Sequence, residues 1–217
     1  MNKAGRYKTS HLPEDQFEPG SQGHVLKNML GVKNKQEMHR IEARRQLRTI
    51  NEISKLFGER HRFTAEDVRA IHKIWLGGIY PWAGQYRQVN ISKGDFPFAA
   101  AGQVPELMEE FERGPLRKFT PCRSGGIEPV AEALAVVHVE LVLIHPFREG
   151  SGRAARLLSI LMGWQARLPT LDFGGIKGKM KEEYFAAVRE GVKHDYQPMV
   201  KIFQSVIART LRNIRKE

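Results

Sequence analysis

The chain has 217 residues, of which 41% are hydrophobic and 27% charged, and its formal net charge is +11. That length suits one domain with a full core, or at most two small ones, and the composition is ordinary for a globular protein. The positive charge favours an anionic partner such as a nucleotide, a nucleic acid or an acidic protein, and a solvated basic surface explains it equally well.

Cysteine usage and hydropathy bear on where the protein is located. Cys122 is the single cysteine, which excludes an intrachain disulfide and is typical of a reducing compartment. The first residues lack the apolar run of a signal peptide, and the longest apolar run, residues 133–144, is too short to span a bilayer. We therefore expect a cytoplasmic protein with no membrane partner, and delivery into another cell is left open.

The first part of the chain predicts an arm followed by helices. Residues 1–24 are polar and rich in proline, glycine and histidine, so we predict an N-terminal arm ahead of a single domain over residues 25–217. Asn34 and Thr64 are each followed three residues later by an acidic residue, the capping-box pattern that begins a helix.

The middle of the chain predicts one β-hairpin. Residues 86–91 alternate large and polar side chains, which predicts a strand, and residues 92–94 and 95–98 predict a turn and a short return strand. Pro97 restricts the return strand to a sheet edge, because proline has no backbone donor. One side of the hairpin should therefore present unpaired backbone groups.

The remaining segments predict further helices, at residues 104–111, 128–144, 152–168, 179–192 and 198–212. Pro146 should end the long apolar helix that precedes it. The predicted fold is all-α, a helical bundle with one small β-hairpin.

One stretch combines several groups that bind phosphate, His145-Pro-Phe-Arg-Glu-Gly-Ser-Gly-Arg-Ala-Ala-Arg156. Gly150 and Gly152 free the backbone just before a predicted helix, whose unpaired amides and partial positive charge attract anions. Arg153 and Arg156 are three residues apart, so they share a helix face and can bind two phosphate groups. The pattern predicts a nucleotide-phosphate site.

Two further residues of the stretch add chemistry. Glu149 supplies a carboxylate beside the phosphate site, the ligand set that Mg²⁺ takes together with phosphate oxygens. The ordinary pKa of a histidine, near 6.5, suits His145 to remove a proton from an incoming hydroxyl. Each residue alone has an ordinary explanation as a cap, a helix-start acid or a loop residue, and it is their combination that favours a site.

The same stretch resembles the Fic family signature, His-Pro-Phe-x-Asp/Glu-Gly-Asn-Gly-Arg-x-x-Arg. Every position matches except one, where Ser151 stands in place of asparagine. Residues 79–87 and 90–94 resemble the segment that leads into the family's flap hairpin, and residues 26–31 resemble the entry to its N-terminal helix. The resemblance covers about residues 25–205.

The resemblance implies a transferase that moves AMP from ATP onto a Ser, Thr or Tyr hydroxyl of a target protein. It implies that His145 deprotonates the target hydroxyl and that Glu149 holds Mg²⁺. It also implies these nucleotide contacts: the backbone of Gly150, Ser151 and Gly152 as the anion hole, Arg153 at the β-phosphate and Arg156 at the γ-phosphate. The flap would pair its edge with an extended target segment.

The flap residues expected to dock the target are Ile91, Lys93, Phe96 and Phe98. The two phenylalanines either clamp the target side chain or simply pack under the hairpin. The basic C-terminus, residues 209–216, carries no recognised nucleic-acid motif, so a nucleic-acid partner is not expected.

Two departures from the family leave alternatives open. Ser151 lacks a carboxamide, and losing one such group costs roughly 10²–10³ in rate where it stabilises a transition state. Another nucleotidyl or phosphoryl transfer, or a catalytically weakened nucleotide-binding module, therefore remains an alternative. The family's inhibitory motif, Ser/Thr-x-x-x-Glu-Gly/Asn, is absent from the sequence. We therefore expect a stand-alone toxin whose inhibitor is a separate small antitoxin.

Overall fold

The protein is helical apart from one hairpin, as the sequence predicted, in a computed structural model that describes residues 9, 11–123 and 125–214. Its helices are α1 (Lys35–Leu56), α2 (Ala65–Leu76), α3 (Val104–Phe111), α4 (Arg117–Phe119), α5 (Ile127–Ile144), α6 (Ser151–Gln165), α7 (Lys179–Glu190) and α8 (Gln197–Ile214). Its strands are β1 (Ser92–Lys93) and β2 (Phe96–Pro97). A π-helical turn, Glu112–Leu116, joins α3 to α4.

Helices α1 and α2 begin where their caps were predicted. The Asn34 side chain accepts a hydrogen bond from the amide of Glu37 at 3.0 Å. Thr64 and Asp67 form a complete capping box at the start of α2. These side chains satisfy amides that the first helical turn leaves unpaired.

Helix α5 is the centre of the bundle. It is apolar on nearly all sides, which is the pattern of a helix surrounded by others, and it packs mainly against α6 and α8. Helices α1 and α2 pack together and against α6. The loop of residues 145–150 joins α5 to α6, so it is supported from the middle of the core. Among the described residues, no helix is both long and apolar enough to cross a bilayer.

The hairpin is shorter than predicted and lies later in the chain. Strand β1 pairs with β2 in antiparallel register, Ser92 with Pro97 and Lys93 with Phe96. The predicted turn at residues 92–94 is wrong in part, because Ser92 and Lys93 are strand residues and the turn lies at residues 94–95. Pro97 does lie in an edge strand, since the sheet has only these two strands within the described residues.

The strand predicted at residues 86–91 is wrong. The Arg87 amide donates to the Pro146 carbonyl at 2.9 Å, and the Gln88 amide donates to the Glu14 carboxylate at 2.6 Å. The segment binds the loop after α5 and the N-terminal segment, and within the described residues its one cross-hairpin backbone bond runs from the Phe98 amide to the Ile91 carbonyl at 3.2 Å. Alternation of large and polar side chains does not distinguish a strand of a sheet from an extended segment whose amides bind a loop and a side chain.

The described part of the predicted N-terminal arm packs on the bundle. Residues Pro13–Asp15 form a short 3₁₀ helix, Glu14 is buried, and Phe17 forms an isolated β-bridge with Leu26. Residues 1–8 and 10 lie outside the described residues. The boundary between an arm over 1–24 and a domain over 25–217 stays a prediction.

Candidate active site

A cavity of about 950 Å³ opens where α5 ends and α6 begins, between the hairpin and α7. It brings together every site residue that the sequence singled out: Ile91, Lys93, Phe96, Phe98, His145, Glu149, Gly150, Ser151, Gly152, Arg153 and Arg156. Its volume is in the range of small-molecule and cofactor sites.

The cavity wall is strongly basic. Its cationic side chains are Lys93, Arg148, Arg153, Arg156, Lys177, Lys181 and Arg189. Glu149 is the one acidic residue in the described lining. Such a concentration of one sign of charge in a cleft attracts a multiply charged anion.

His145 is held with a free ring nitrogen. It ends α5 in the left-handed conformation, φ 50°, and its half-buried ring stacks on Phe98 with centroids 3.8 Å apart. Its Nδ1 lies 3.1 Å from the Val142 carbonyl, which can only accept, so Nδ1 carries the proton and Nε2 keeps its lone pair. Burial lowers the pKa of His145 to about 4. The ring is therefore neutral at pH 7 and can accept a proton.

Arg87 fixes the backbone beneath His145, a role that the sequence did not predict. Its side chain is 1% exposed, and its Nε donates to the His145 carbonyl at 2.7 Å. Its other donors bind the carbonyls of Val89, Ala99 and Ile144. Burial lowers the pKa of Arg87. A cation at the C-terminal end of α5 also interacts favourably with the helix dipole.

The N-terminus of α6 offers free amides to the cavity. Gly150 has φ 85°, and a Cβ there would lie 2.7 Å from the Trp75 ring, so this position requires glycine. The amides of Arg153 and Ala154 bind the Gly150 carbonyl. Within the described residues, the amides of Ser151 and Gly152 have no acceptor, which suits them to an anion.

Ser151 closes the loop through its side chain. It is 1% exposed, its Oγ accepts from the Phe147 amide at 3.0 Å, and the hydroxyl donates to the Phe147 carbonyl at 3.2 Å. Phe147 is fully buried and stacks on His72 with ring centroids 3.8 Å apart, as expected of the residue that anchors the loop. The serine thus stabilises the turn that orients the first amides of α6 toward the cavity.

His72 is a second supporting residue that the sequence analysis missed. It is fully buried on α2, its Nδ1 accepts from the Gly84 amide at 2.8 Å, and its Nε2 therefore donates to the Glu149 carbonyl at 2.9 Å. Burial lowers its pKa to about 4, which keeps the ring neutral. A histidine on an apolar helix face carries no sequence signal that distinguishes this role from ordinary packing.

Glu149 has one oxygen available for a cation. Its Oε1 accepts from the Gly150 amide at 2.8 Å and from Arg153 Nη2 at 3.0 Å. Its Oε2 makes no hydrogen bond within the described residues, and the side chain is 44% exposed. Within the described residues, no group of three His, Cys, Asp or Glu side chains is placed so that it could hold a metal ion. A metal ion at Glu149 would therefore need phosphate oxygens as further ligands.

The two arginines of the motif differ in their partners. Arg153 pairs with Glu42 at 2.8 Å and with Glu149 at 3.0 Å. No described carboxylate lies within ion-pair distance of Arg156, whose guanidinium is 5.6 Å from the ring centroids of both Phe173 and Tyr184. In the described part of the chain, the Arg156 Nε is buried without a hydrogen-bond partner. Arg156 is therefore the motif arginine whose charge is not already neutralised.

A buried histidine supports the Tyr184 side of the cavity. His138 Nε2 lies 2.8 Å from the Tyr184 hydroxyl, and His138 Nδ1 lies 3.2 Å from the Ser159 hydroxyl. Burial lowers the pKa of His138 to about 3, so its ring is neutral. These contacts give His138 a packing role beside the cavity.

The hairpin reaches α7 through exposed contacts. Asp95 pairs with Arg189 at 2.7 Å, and the Lys93 ammonium lies 3.6 Å from the Phe185 ring centroid. Burial, with the neighbouring positive charges of Lys181 and Arg156, lowers the pKa of Lys93. The hairpin is therefore held over the cavity mainly by groups on α7.

Comparison with known proteins places the chain in a family. Residues 62–162 match the model of the Fic/DOC family. The chain is 32% identical over 150 residues to "Probable protein adenylyltransferase Fic" of Escherichia coli K12, an alignment that covers 65% of this chain and 68% of that protein. The chain belongs to the Fic/DOC family. It is also 28% identical to the protein adenylyltransferase VbhT of Bartonella schoenbuchensis, over 70% of this chain and 30% of VbhT.

Solved structures show the same fold. The Fic/DOC chain superposes on BepC of Bartonella tribocorum, solved with bound AMPPNP, with a TM-score of 0.70 and 23% identity over 90% of this chain and 97% of that one. A Bartonella quintana Bep effector Fic domain with bound ADP gives a TM-score of 0.70 and 25% identity, over 90% of this chain and 95% of that one. The helical bundle with its small hairpin is therefore a Fic fold.

Proposed function

We propose that this chain transfers AMP from ATP to a Ser, Thr or Tyr hydroxyl of a target protein. The observation that carries the proposal is that one cavity, at residues 145–156, holds four groups that are free within the described residues: an imidazole nitrogen, helix amides, a half-exposed carboxylate oxygen and an arginine without a carboxylate partner. The E. coli and B. schoenbuchensis relatives are named protein adenylyltransferases, which supports this reaction class. AMPPNP and ADP in the two solved structures support an adenine nucleotide as the ligand.

The geometry supports an in-line nucleotidyl transfer. The free amides of Ser151 and Gly152, together with Arg156, would bind the phosphates of ATP. The Nε2 of His145 would take the proton of the target hydroxyl as its oxygen forms a bond to the α-phosphorus. The bond from the α-phosphorus to the bridging oxygen then breaks, and pyrophosphate leaves. The protein contributes chiefly position and charge neutralisation.

Glu149 is the residue that would hold Mg²⁺. Its Oε2 is free within the described residues, and carboxylate oxygen is a ligand that Mg²⁺ prefers. A Mg²⁺ ion bound there would neutralise charge on the phosphates. The ion would bind Oε2 while Oε1 accepts from Arg153, so the strength of the Arg153 contact affects how readily the carboxylate turns toward the ion.

The hairpin would dock the target. Its two edges are unpaired within the described residues, so an extended target segment could add a strand. Phe98 stacks on the His145 ring, and Phe96 meets Phe98 edge-on with centroids 5.6 Å apart. Together with Ile91 and Lys93, these side chains would place the target hydroxyl beside His145.

We further propose a toxin restrained in the cytoplasm by a separate antitoxin. Arg156 lacks a carboxylate partner among the described residues, so a glutamate from another chain could pair with it and occupy the γ-phosphate position. Expression of the chain alone should arrest growth, and co-expression of its antitoxin should restore growth. A harmless wild-type chain that captures no small partner in its native host would count against this regulation.

Labelled ATP tests the reaction. With wild-type chain and target-containing lysate, label from the α-phosphate should enter protein in a Mg²⁺-dependent reaction, and label from the γ-phosphate should not. His145→Ala should lower transfer about 10²–10⁴-fold, the usual contribution of a general base. Incorporation of γ-label instead would favour phosphorylation over AMP transfer.

The alternative of a weakened binding module depends on Ser151. If the family's asparagine acts through its side chain, Ser151→Asn should raise transfer by roughly 10²-fold. If the serine is itself suited to this loop, the substitution should lower transfer, because a larger side chain replaces a fully buried one. Nucleotide binding with no transfer by either protein would establish a binding module.

A further inference from the structure

Glu42 is a buried carboxylate that the proposed mechanism does not use. It lies on α1, is 2% exposed, and its Oε2 accepts from Arg153 Nη1 at 2.8 Å. Its Oε1 accepts from the Tyr80 hydroxyl at 2.9 Å, and burial together with this carboxylate raises the pKa of Tyr80. A carboxylate removed from water needs a counterion and donors, and both oxygens of Glu42 have them.

Arg153 is fixed by groups on two helices and on the 145–150 loop. One guanidinium nitrogen binds Glu42 on α1, the other binds Glu149 at 3.0 Å, and the guanidinium carbon lies 4.6 Å from the Trp75 ring centroid on α2. The Trp75 Nε1 donates to the Glu42 carbonyl at 2.9 Å. The ring that supports Arg153 is thus tied to the same turn of α1 that supplies its carboxylate.

The two carboxylates beside Arg153 have different freedom. Glu149 is 44% exposed, lines the cavity and has an unused oxygen, whereas Glu42 is 2% exposed and lies outside the cavity lining. Glu149 can therefore turn away from Arg153, and Glu42 cannot. Whatever Glu149 binds, Arg153 keeps one carboxylate partner.

We propose that Glu42 is a positioning residue that retains Arg153 at the cavity wall and frees Glu149 to bind Mg²⁺. The inference rests on the metal role of Glu149 in the proposed function. Without the Glu42 charge, Glu149 would be the one described carboxylate within ion-pair distance of Arg153. That stronger pair would compete with the cation for the same side chain.

This role differs from that of the inhibitory glutamate implied by the family resemblance. An inhibitory glutamate would pair with Arg156, whereas Glu42 pairs with Arg153 and leaves Arg156 without a described carboxylate partner. Glu42 therefore does not occupy the proposed γ-phosphate position. It acts from behind the cavity wall, through Arg153.

Glu42→Gln tests the inference, because it keeps the size of the side chain and an acceptor for Tyr80 while removing the charge. Calorimetry measures AMPPNP affinity over a range of Mg²⁺ concentrations. The midpoint is the Mg²⁺ concentration at which half of the Mg²⁺-dependent gain in AMPPNP affinity is reached. We expect that midpoint to rise about fivefold and metal-free AMPPNP affinity to change by less than about twofold. A residue needed only for folding would weaken both kinds of binding together.

Two variants serve as controls. Glu42→Asp keeps the charge and should return the Mg²⁺ midpoint to within about twofold of wild type. Glu112→Gln makes the same substitution at a carboxylate that binds the Ala65 amide at 2.7 Å and lies outside the cavity lining. Its midpoint should equal that of the wild type. The melting temperature of each variant shows whether it is folded.

The outcomes separate this inference from the proposed function. A Glu42→Gln midpoint equal to wild type overturns the inference, as does an equal loss of affinity with and without Mg²⁺ in a variant that melts like the wild type. An equal shift in Glu42→Asp and Glu42→Gln also overturns it, because charge would not be the cause. If wild-type binding is independent of Mg²⁺, the metal role of Glu149 fails, and the inference fails with it.

Discussion

The two sides of the cavity are built differently. On the side of the 145–150 loop, the supporting side chains Arg87 and His72 are buried and hydrogen-bonded, and Arg87, which is 1% exposed, donates to four carbonyls. On the hairpin side, the two strands have two residues each, and the ion pair of Asp95 with Arg189 has side chains 83% and 50% exposed. The loop side is therefore rigid, and the hairpin side can change its position.

This difference matches the two tasks of the proposed function. Phosphate chemistry needs donors fixed before the reaction, since reorganisation at that moment raises the barrier. Docking a protein segment needs an edge that can adjust to what it binds. Substitutions on the loop side should therefore lower the rate of transfer. Substitutions on the hairpin side should change the KM for the protein target.

Among the residues that support the site, the largest effect is expected at Arg87. Arg87→Met leaves four carbonyls without their donor, and each unsatisfied buried group costs about 1–3 kcal/mol. AMP transfer should fall at least about 10²-fold, because His145 loses its fixed position, and the melting temperature should fall as well. Arg113→Met, at an exposed arginine paired with Glu109, is the matched control and should change neither. Wild-type transfer by Arg87→Met would contradict a rigid loop side.

Acid should destabilise the protein through its buried histidines. The pKa of His72 and of His145 is lowered to about 4 and that of His138 to about 3, from 6.5. Below pH 6.5 the unfolded chain binds protons at these rings while the folded chain does not, so unfolding becomes more favourable as the pH falls. Each histidine should contribute about 3 kcal/mol of lost stability by pH 4, a loss that becomes negligible as the pH rises well above 6.5.

Denaturant unfolding between pH 7 and pH 4 measures this loss. His138→Gln removes one buried imidazole and should reduce the dependence of the unfolding free energy on pH, whatever its effect at pH 7. A free energy of unfolding that stays constant from pH 6.5 to pH 4 would mean that these rings titrate normally in the folded protein.

A smaller effect is expected at Ser151. Ser151→Ala removes both hydrogen bonds to the Phe147 backbone, each worth about 1 kcal/mol net. Transfer should fall about tenfold, with a drop of a few degrees in melting temperature, because the loop loses its closure but keeps the His72 and Arg87 contacts. A Ser151→Ala variant with unchanged transfer would mean that the remaining contacts suffice to hold the loop.

The smallest effect is expected at the hairpin. Asp95→Asn breaks an exposed ion pair, which is worth less than about 1 kcal/mol. AMPPNP affinity and melting temperature should not change, while the KM for the protein target should shift by about two- to fivefold. Glu109→Gln, at another exposed carboxylate paired with arginine at 2.7 Å, is the control and should leave this KM unchanged. A large fall in kcat instead would show that the hairpin is part of the rigid side.

Local signals in the sequence were sufficient to predict helix starts and the residues of the candidate site. The caps at Asn34 and Thr64 and the run from His145 to Arg156 act within a few residues, so their spacing alone predicted where the helices begin and which groups share the turn. Helical periodicity predicted the all-α bundle with one hairpin, and the family resemblance implied the role of that hairpin as a flap. The strand at residues 86–91 failed, because its amides bind Pro146 and Glu14, which pattern alone does not reveal.

Sequence patterns could not have identified the supporting residues Arg87, His72 and Glu42. These three supporting residues are far in sequence from the site residues that they contact. Arg87 lies 58 residues from His145, His72 lies 77 from Glu149, and Glu42 lies 111 from Arg153. In the sequence they are one arginine of a basic chain, a histidine on an apolar helix face and a glutamate on an amphipathic helix. Their roles exist only once the folded chain brings α1, α2 and the segment after it around the loop between α5 and α6.

The most direct test of the account is the mass of a target protein after incubation with ATP and Mg²⁺. With the wild-type chain, we predict the gain of one AMP group on a Ser, Thr or Tyr residue, and no gain with His145→Ala at equal concentration. A target that gains only a phosphoryl group, or that gains AMP equally from both proteins, would contradict the assignment of this cavity as a nucleotidyl-transfer site with His145 as its base.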